Sequence, residues 1–158
     1  KFIFEEMGYN FLPTEISAAF GLVQLKKLKK FTATRQTNFN NLYEFFSKMK
    51  FFRLPRQLPE VKTSWLAFPL TINENAPFSR LELVKYLEMS GIQTRPIFTG
   101  NVLKQPAFHK INYKNLGKDY VITDYIMENS FLIGCNHGLT EKHIEKIKNT
   151  FNTFLDKY

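Results

Sequence analysis

The stretch SRLELVKYLEMSG, residues 79–91, contains both a start signal and a stop signal for a helix. Ser79 and Glu82 have the spacing of a capping box, in which two side chains satisfy backbone N–H groups of the first turn. Gly91 can adopt the left-handed backbone conformation that ends many helices. The sequence therefore predicts a helix over about residues 80–90.

Strands are predicted on both sides of this helix. Residues 64–72, SWLAFPLTI, are rich in aromatic and β-branched residues, and Pro69 within them indicates an edge strand or a bulge. Residues 92–98 have a similar composition and predict a second strand. A short helix over about residues 123–129 is expected to lead into a third, apolar strand at residues 131–134.

Two longer amphipathic helices complete the predicted elements. Over residues 13–49, apolar residues recur at three- and four-residue steps with lysines between them, which indicates one long helix, kinked near residues 32–37. Thr140 is placed to cap a last helix. The predicted fold class is α+β, a small, mainly antiparallel sheet with helices on one face plus a long N-terminal helix. Residues 1–50 are the linking helix segment and residues 51–158 the small domain.

Composition limits the classes of protein that this chain can represent. Its 158 residues are 44% apolar and include 17 Phe, enough for a single hydrophobic core, which excludes a disordered chain. No apolar run approaches the roughly 18 residues of a spanning helix, so a soluble protein is expected. The single cysteine, Cys135, cannot form an internal disulfide, which favours the cytoplasm. The first residue is Lys1, and no strand precedes the first helix signal, so we expect a part of a longer protein.

The net charge of +8 suits nucleic acid, an acidic membrane surface or a phosphorylated small molecule. A basic nucleic-acid-binding module is the alternative from another class. It is disfavoured because the chain has no RNA-recognition, zinc-finger or helix-turn-helix signature and its aromatic residues fall on predicted core faces. Lysine runs such as residues 26–30 are more typical of a solvated helix face. We expect neither a nucleic-acid nor a membrane partner.

Cys135, His137 and His143 are the candidates for a metal site. Their spacing matches no usual zinc pattern, and a buried thiol beside a histidine at a strand end is the commoner arrangement. A Cys/His nucleophile pair has no stronger support, because alternation along a strand does not guarantee contact. No metal site is predicted.

Two positions have the chemistry of an anion site. Arg95 is followed by the polar turn Thr99-Gly100-Asn101, and a guanidinium on a stiff strand beside backbone donors can orient a phosphate or a carboxylate. The alternative is a surface arginine beside an ordinary turn. Asn10, just before a helix start, could likewise bind an anion or cap the chain entry.

Several stretches resemble the DegT/StrS family of sugar aminotransferases and their dehydratase relatives. The first is GYN at residues 8–10, followed by AAFGLVQLKKL at residues 18–28. Three more are similar to the branch that removes the 3-hydroxyl of nucleotide-linked 4-keto-6-deoxyhexoses. They are SWLAFPL (64–70), GIQTRPIFTGN (91–101) and FLIGCNH (131–137).

This resemblance implies the C-terminal domain of a fold-type I enzyme that uses pyridoxal or pyridoxamine 5'-phosphate and acts as a homodimer. The catalytic residue, Lys in the aminotransferases and His in the 3-dehydratases, then lies before residue 1, so the chain alone would be inactive. The iron-sulfur cysteines of one dehydratase subgroup would also lie upstream. The implied function is 3-dehydration in lipopolysaccharide biosynthesis. A nucleotide-sugar aminotransferase, and an interaction domain without catalysis, are the alternatives.

The resemblance also implies roles for single residues. Asn10 matches the asparagine that reaches the cofactor phosphate bound by the neighbouring subunit. Leu12 stands where many relatives carry Arg or Lys. Trp65 lies near the substrate region, although a core position would suit it equally. The positions that match the surroundings of the sugar-nucleotide pocket are Arg95, Thr99, Asn101 and His137.

Overall fold

The computed structural model describes residues 8–9, 11–114 and 119–158. Two short 3-10 helices, Val102–Lys104 and Pro106–Phe108, lie between β3 (Thr94–Pro96) and α3 (Val121–Asn129). The helices and strands are α1 (Glu15–Ser47), β1 (Phe52–Arg53), β2 (Ala67–Ile72), α2 (Arg80–Met89), β3 (Thr94–Pro96), α3 (Val121–Asn129), β4 (Ser130–Gly134) and α4 (Glu141–Leu155).

The four described strands form one antiparallel sheet in the order β1-β2-β4-β3. The longest pairing joins β2 to β4, from Ala67 opposite Gly134 to Thr71 opposite Ser130. Strand β4, which comes last in the chain, is therefore inserted between β2 and β3. The predicted antiparallel sheet is confirmed.

The core lies between one face of this sheet and three helices. Alternate residues of β2 are buried, as expected for a strand covered on one face. The Phe46 ring of α1 packs against Phe68 of β2 at 5.5 Å and against Phe151 of α4 at 4.7 Å between ring centroids. Leu83 and Leu87 of α2 belong to the same cluster. The predicted α+β class, with helices on one face, is confirmed.

The helix signals at residues 79–91 are confirmed, with one correction. The Ser79 hydroxyl accepts a hydrogen bond from the backbone N–H of Glu82 at 3.2 Å, and Gly91 has a φ of 75°. The Glu82 carboxylate, however, accepts a hydrogen bond from the Tyr158 hydroxyl. Only the Ser79 half of the predicted capping box is formed, and Tyr158 binds the carboxylate that the other half would use.

Two predicted strands are shorter in the structure. The N–H of Ile92 donates to the carbonyl of Leu87 at 2.9 Å, so the chain is still closing α2 where the second strand was expected. The N–H of Phe98 donates to the Pro96 carbonyl at 2.8 Å and turns the chain away from β4. The first predicted strand begins only at Ala67.

Pro69 lies in β2, between two neighbours, instead of in an outer strand. Its position is tolerated because β1 is only two residues long and pairs with Thr71 and Ile72 alone. Strand β1 therefore does not reach Pro69, and no hydrogen bond to β1 is lost at this position. The two-residue strand β1 was not predicted.

Helix α1 continues without a break through residues 32–37, where the sequence predicts a kink. One face of its last third, with Phe39, Leu42 and Phe46, is buried in the core, whereas Ile16 and Phe20 near its start are 85% and 67% exposed. Residues 15–23 are all exposed, so no described residue covers this end of the helix. None of the described helices combines the length and apolar character needed to cross a bilayer.

Candidate functional site

His137 follows β4 and lies against the middle of α1. Its ring stacks on Phe31 with 3.8 Å between centroids and 20° between planes. Its Nδ1 is 3.3 Å from Nη2 of Arg35. A guanidinium can only donate hydrogen bonds, so Nδ1 is the acceptor in this contact. The imidazole is thus contacted by two side chains of α1, although the residue is exposed.

Arg35 connects α1 to the segment that precedes β2. Its Nη1 is 3.5 Å from the Ser64 hydroxyl, which lies 3.3 Å from the hydroxyl of Thr32. Its Nε is buried without a hydrogen-bond partner among the described residues. One guanidinium therefore contacts both Ser64 and His137.

Asn38 of α1 forms hydrogen bonds with the turn after β4. This buried side chain donates from Nδ2 to the carbonyl of Asn136 at 2.9 Å and to that of Leu139 at 3.4 Å. Because buried amides are costly when unsatisfied, these bonds favour a single placement of the turn. The backbone that presents His137 is therefore anchored on the same helix as its ring.

Cys135 is a fully buried free thiol, and its Sγ is 3.7 Å from the Arg35 carbonyl oxygen. Burial raises the pKa of the Cys135 thiol to about 12, against a smaller lowering effect of the Arg35 charge. The thiol is therefore protonated at neutral pH, which does not fit an activated nucleophile. Among the described residues, no group of three His, Cys, Asp or Glu side chains could hold a metal ion.

Trp65 belongs to the core side of this region. Its indole stacks on Phe39 with 4.1 Å between centroids and 7° between planes. It packs against the main hydrophobic cluster, and its Nε1 is buried without a partner among the described residues. These contacts favour the core interpretation of Trp65.

Arg95 lies on the outer strand β3, beside an open pocket of about 340 Å³. His143 and Lys146 of α4 line the same pocket. Next to it, the Glu88 carboxylate accepts hydrogen bonds from the backbone N–H and the hydroxyl of Thr94 at 2.5 and 2.7 Å. These bonds lower the pKa of Glu88, and the Arg95 charge adds a smaller lowering effect. Arg95 is exposed and shares this pocket with Lys146, so two cationic side chains are available to an anionic ligand.

Asn101 is buried, and its side chain is already engaged. Its Oδ1 accepts from the N–H of Leu103 at 3.1 Å, and its Nδ2 donates to Asp124 at 2.8 Å. The Asn101 hydrogen bond, followed by that from Lys104, lowers the pKa of Asp124. Thr99 is exposed, and its carbonyl accepts from Gln105 Nε2 at 2.9 Å. Asn101 thus orders the loop after β3.

The structure places the predicted substrate residues in three locations. Arg95 lines the pocket at α4. Asn101 lies beside α3, with Thr99 on the adjoining loop. His137, which follows β4, packs against α1. Of four surface pockets that the described residues form, none is lined by two of the predicted substrate residues. Asn10 lies outside the described residues.

Sequence reasoning missed Arg35 and Phe31. Arg35 belongs to the basic run of α1, in which nothing distinguishes it from solvated lysines. Its partner His137 lies 102 residues further along the chain, so no local pattern could pair them.

An antiparallel four-stranded sheet with helices on one face, preceded by a long helix, is the arrangement of the C-terminal portion of a pyridoxal-phosphate enzyme of the aminotransferase fold. The chain belongs to the DegT/DnrJ/EryC1/StrS aminotransferase family, whose model matches residues 1–152. The family predicted by resemblance is confirmed.

Similar proteins include the lipopolysaccharide biosynthesis protein RfbH of Salmonella typhimurium, 36% identical over 98% of this chain and 36% of that protein. The GDP-4-keto-6-deoxy-D-mannose 3-dehydratase of Yersinia pseudotuberculosis is 37% identical over 96% of this chain and 37% of its own length. The solved GDP-4-keto-6-deoxy-D-mannose-3-dehydratase of E. coli, with bound hydrated PLP, has a TM-score of 0.83 and 28% identity over 95% of this chain and 38% of its own. The chain thus spans little more than a third of each relative.

Proposed function

We propose that this chain is the C-terminal part of an enzyme that removes the 3-hydroxyl of a nucleotide-linked 4-keto-6-deoxyhexose. The supporting observation is its similarity, over nearly its whole length, to 3-dehydratases of such sugars. The proposed route is lipopolysaccharide sugar biosynthesis, which the name of one relative indicates. A cytoplasmic location is part of the proposal and is supported by the single buried thiol.

Pyridoxamine phosphate, when bound, supplies the electron sink that the loss of a hydroxyl requires. The resemblance assigns a cofactor contact to Asn10, outside the described residues, and to none within them. The described residues are proposed to bind and orient the nucleotide sugar. Arg95, Thr99 and His137 are the proposed contacts, since they are exposed, and the buried Asn101 orders the loop that carries Thr99. The catalytic residue is proposed to lie in the portion of the enzyme that precedes residue 1.

The test is the reaction of the complete enzyme with pyridoxal phosphate, glutamate and a GDP- or dTDP-linked 4-keto-6-deoxyhexose. We expect mass spectrometry and NMR to show a sugar that has lost its 3-hydroxyl. A product that carries a 4-amino group and keeps that hydroxyl would instead identify the enzyme as the aminotransferase alternative.

Arg95→Ala and Asn10→Ala are expected to affect different ligands in the complete enzyme. Arg95→Ala should raise KM for the nucleotide sugar about ten- to hundredfold while cofactor affinity stays nearly unchanged, because its charge acts on substrate oxygens. Asn10→Ala should weaken pyridoxamine-phosphate binding by a similar factor and affect substrate saturation less. Cofactor titration and steady-state kinetics measure both.

Arg53→Ala is the matched control, since Arg53 is exposed on β1, the other outer strand. Arg53→Ala should change neither KM for the nucleotide sugar nor the affinity for pyridoxamine phosphate. Unchanged KM in the Arg95 variant would make Arg95 an ordinary surface arginine, and unchanged cofactor affinity in the Asn10 variant would refute its contact across the dimer.

We also propose that the exposed end of α1 is buried against a second copy of the chain. It presents Ile16, Phe20 and Leu25 at 85%, 67% and 63% exposure. Apolar surface of this kind marks an interaction site, and a homodimer is the assembly that the family resemblance implies. Light scattering of a solution of this chain should therefore give a molar mass above that of its monomer.

The double variant Ile16→Ser/Phe20→Ser is expected to shift the mass toward the monomer. Leu81→Ser is the control, because Leu81 is 61% exposed on α2, away from this end of α1. A monodisperse wild-type monomer at high concentration would contradict the proposed interface.

A further inference from the structure

His137 is exposed at its surface but restrained on two sides. Phe31 covers one face of the ring, and Arg35 occupies Nδ1. An imidazole with hydrogen on both nitrogens would have no lone pair to accept from Arg35. The contact therefore selects the neutral ring whose remaining polar group is Nε2–H, a hydrogen-bond donor.

Arg35 uses its two terminal nitrogens for contacts and leaves its third, Nε, without one in the described part of the chain. Its Nε is buried and lacks a partner among the described residues, while its terminal nitrogens reach Ser64 and His137. Buried donors without partners are rare and are often found where a side chain serves a functional geometry. The planar fork of a guanidinium can contact two acceptors at once, which a lysine ammonium would do without directional control.

We propose that Arg35 is a positioning residue for His137, which it holds as the Nε2–H tautomer so that this hydrogen is donated to an oxygen of the nucleotide-linked sugar. The inference rests on the proposed function for the identity of the ligand. The tautomer itself depends only on the contact between the two side chains. Arg35 acts through His137 and need not touch the substrate.

The tautomer is measured directly by two-bond ¹H–¹⁵N correlation spectra of the chain with ¹⁵N-labelled histidine. In the wild type, we expect His137 to have a pyridine-like Nδ1 and a protonated Nε2. Arg35→Met should give a mixture of both neutral tautomers. Arg35→Gln, whose amide is also a donor, should partly restore the Nε2–H form.

His143 is the control within the same spectra. Its Nδ1 accepts from the backbone N–H of Thr140 at 3.0 Å, which fixes the same tautomer by an independent contact. Its signals should stay unchanged in all variants and thereby report an intact fold around α4. An Nδ1–H tautomer of His137 in the wild type would overturn the inference without any variant, and so would an unchanged tautomer in Arg35→Met.

Kinetics of the complete enzyme test the substrate role. His137→Ala and Arg35→Met should each raise KM for the nucleotide sugar by about tenfold, with a smaller change in kcat. The double variant should be no worse than His137→Ala alone, since Arg35 acts through the ring. Additive effects would show that Arg35 acts independently and would overturn the positioning role. Absence of 3-dehydration by the wild type would refute the proposed function, whereas the tautomer measurement would still decide the Arg35 contact.

Discussion

Phe46→Ala is expected to lower the free energy of unfolding by about 3–5 kcal/mol, the usual loss for a phenylalanine removed from a packed core. Phe46 is fully buried and contacts rings from β1, β2 and α4, namely Phe52, Phe68 and Phe151. Its removal leaves a cavity where these elements meet, and close packing lets the cavity collapse only in part. Urea unfolding followed by circular dichroism measures the change.

Leu81→Ala is the control for this prediction. It also removes a large apolar side chain from a helix, but Leu81 is 61% exposed. Its effect on unfolding should stay within about 0.5 kcal/mol, as for most surface substitutions. Equal losses in the two variants would contradict the placement of the core.

Gly100→Ala is the second large effect, with an expected loss of about 2–5 kcal/mol. Gly100 has a φ of 63°, and an added Cβ would lie 2.1 Å from Cγ of Met127. The left-handed backbone costs a side chain about 1–2 kcal/mol, and overpacking adds about 1–3 kcal/mol. Since the neighbouring Asn101 caps the next turn, the loop after β3 should be displaced together with α3.

Variants at two other glycines distinguish the cost of the left-handed backbone from the cost of overpacking. Gly91 has a φ of 75°, but its added Cβ would meet only the end of Lys146, at 3.2 Å, so Gly91→Ala should show the backbone cost alone. Gly21 lies in α1 with nothing within 4 Å, and Gly21→Ala should stabilise the helix by about 0.5–1 kcal/mol. Met127→Ala combined with Gly100→Ala should recover the overpacking part. A Gly100→Ala loss no larger than that of Gly91→Ala would refute the close contact with Met127.

Local chemistry accounts for the parts of the fold that sequence reasoning predicted correctly. The helix at residues 80–89 begins after Ser79 and ends near Gly91 because the Ser79 hydroxyl and the left-handed backbone of Gly91 act on groups within a few positions. The stripe of α4 has the same local origin, since helical spacing alone puts Ile144, Ile147 and Phe151 on one face. Strand limits were less accurate because a strand ends where its partner ends, and partners lie far apart in the sequence.

The candidate site was likewise predicted only in part from the sequence. The resemblance pointed to Arg95, Thr99, Asn101 and His137, but their surroundings follow from contacts that no spacing predicts. Asn101 bonds Asp124 across the loop, whereas Arg95 faces a pocket formed with α4. Arg35 was indistinguishable from its lysine neighbours until the fold brought it to His137.

The sequence by itself determined the helices, the predominance of antiparallel pairing, the single core and the family, since these depend on short-range periodicity, capping and matched stretches. Only the tertiary structure decided that β4 lies between β2 and β3, which end of α1 is buried, and that Arg35 contacts His137. Each of these depends on side chains many residues apart that meet only when the apolar faces of α1, α2 and α4 close on the sheet. The free energy that brings them together comes from the burial of the whole core and is not encoded at any one position.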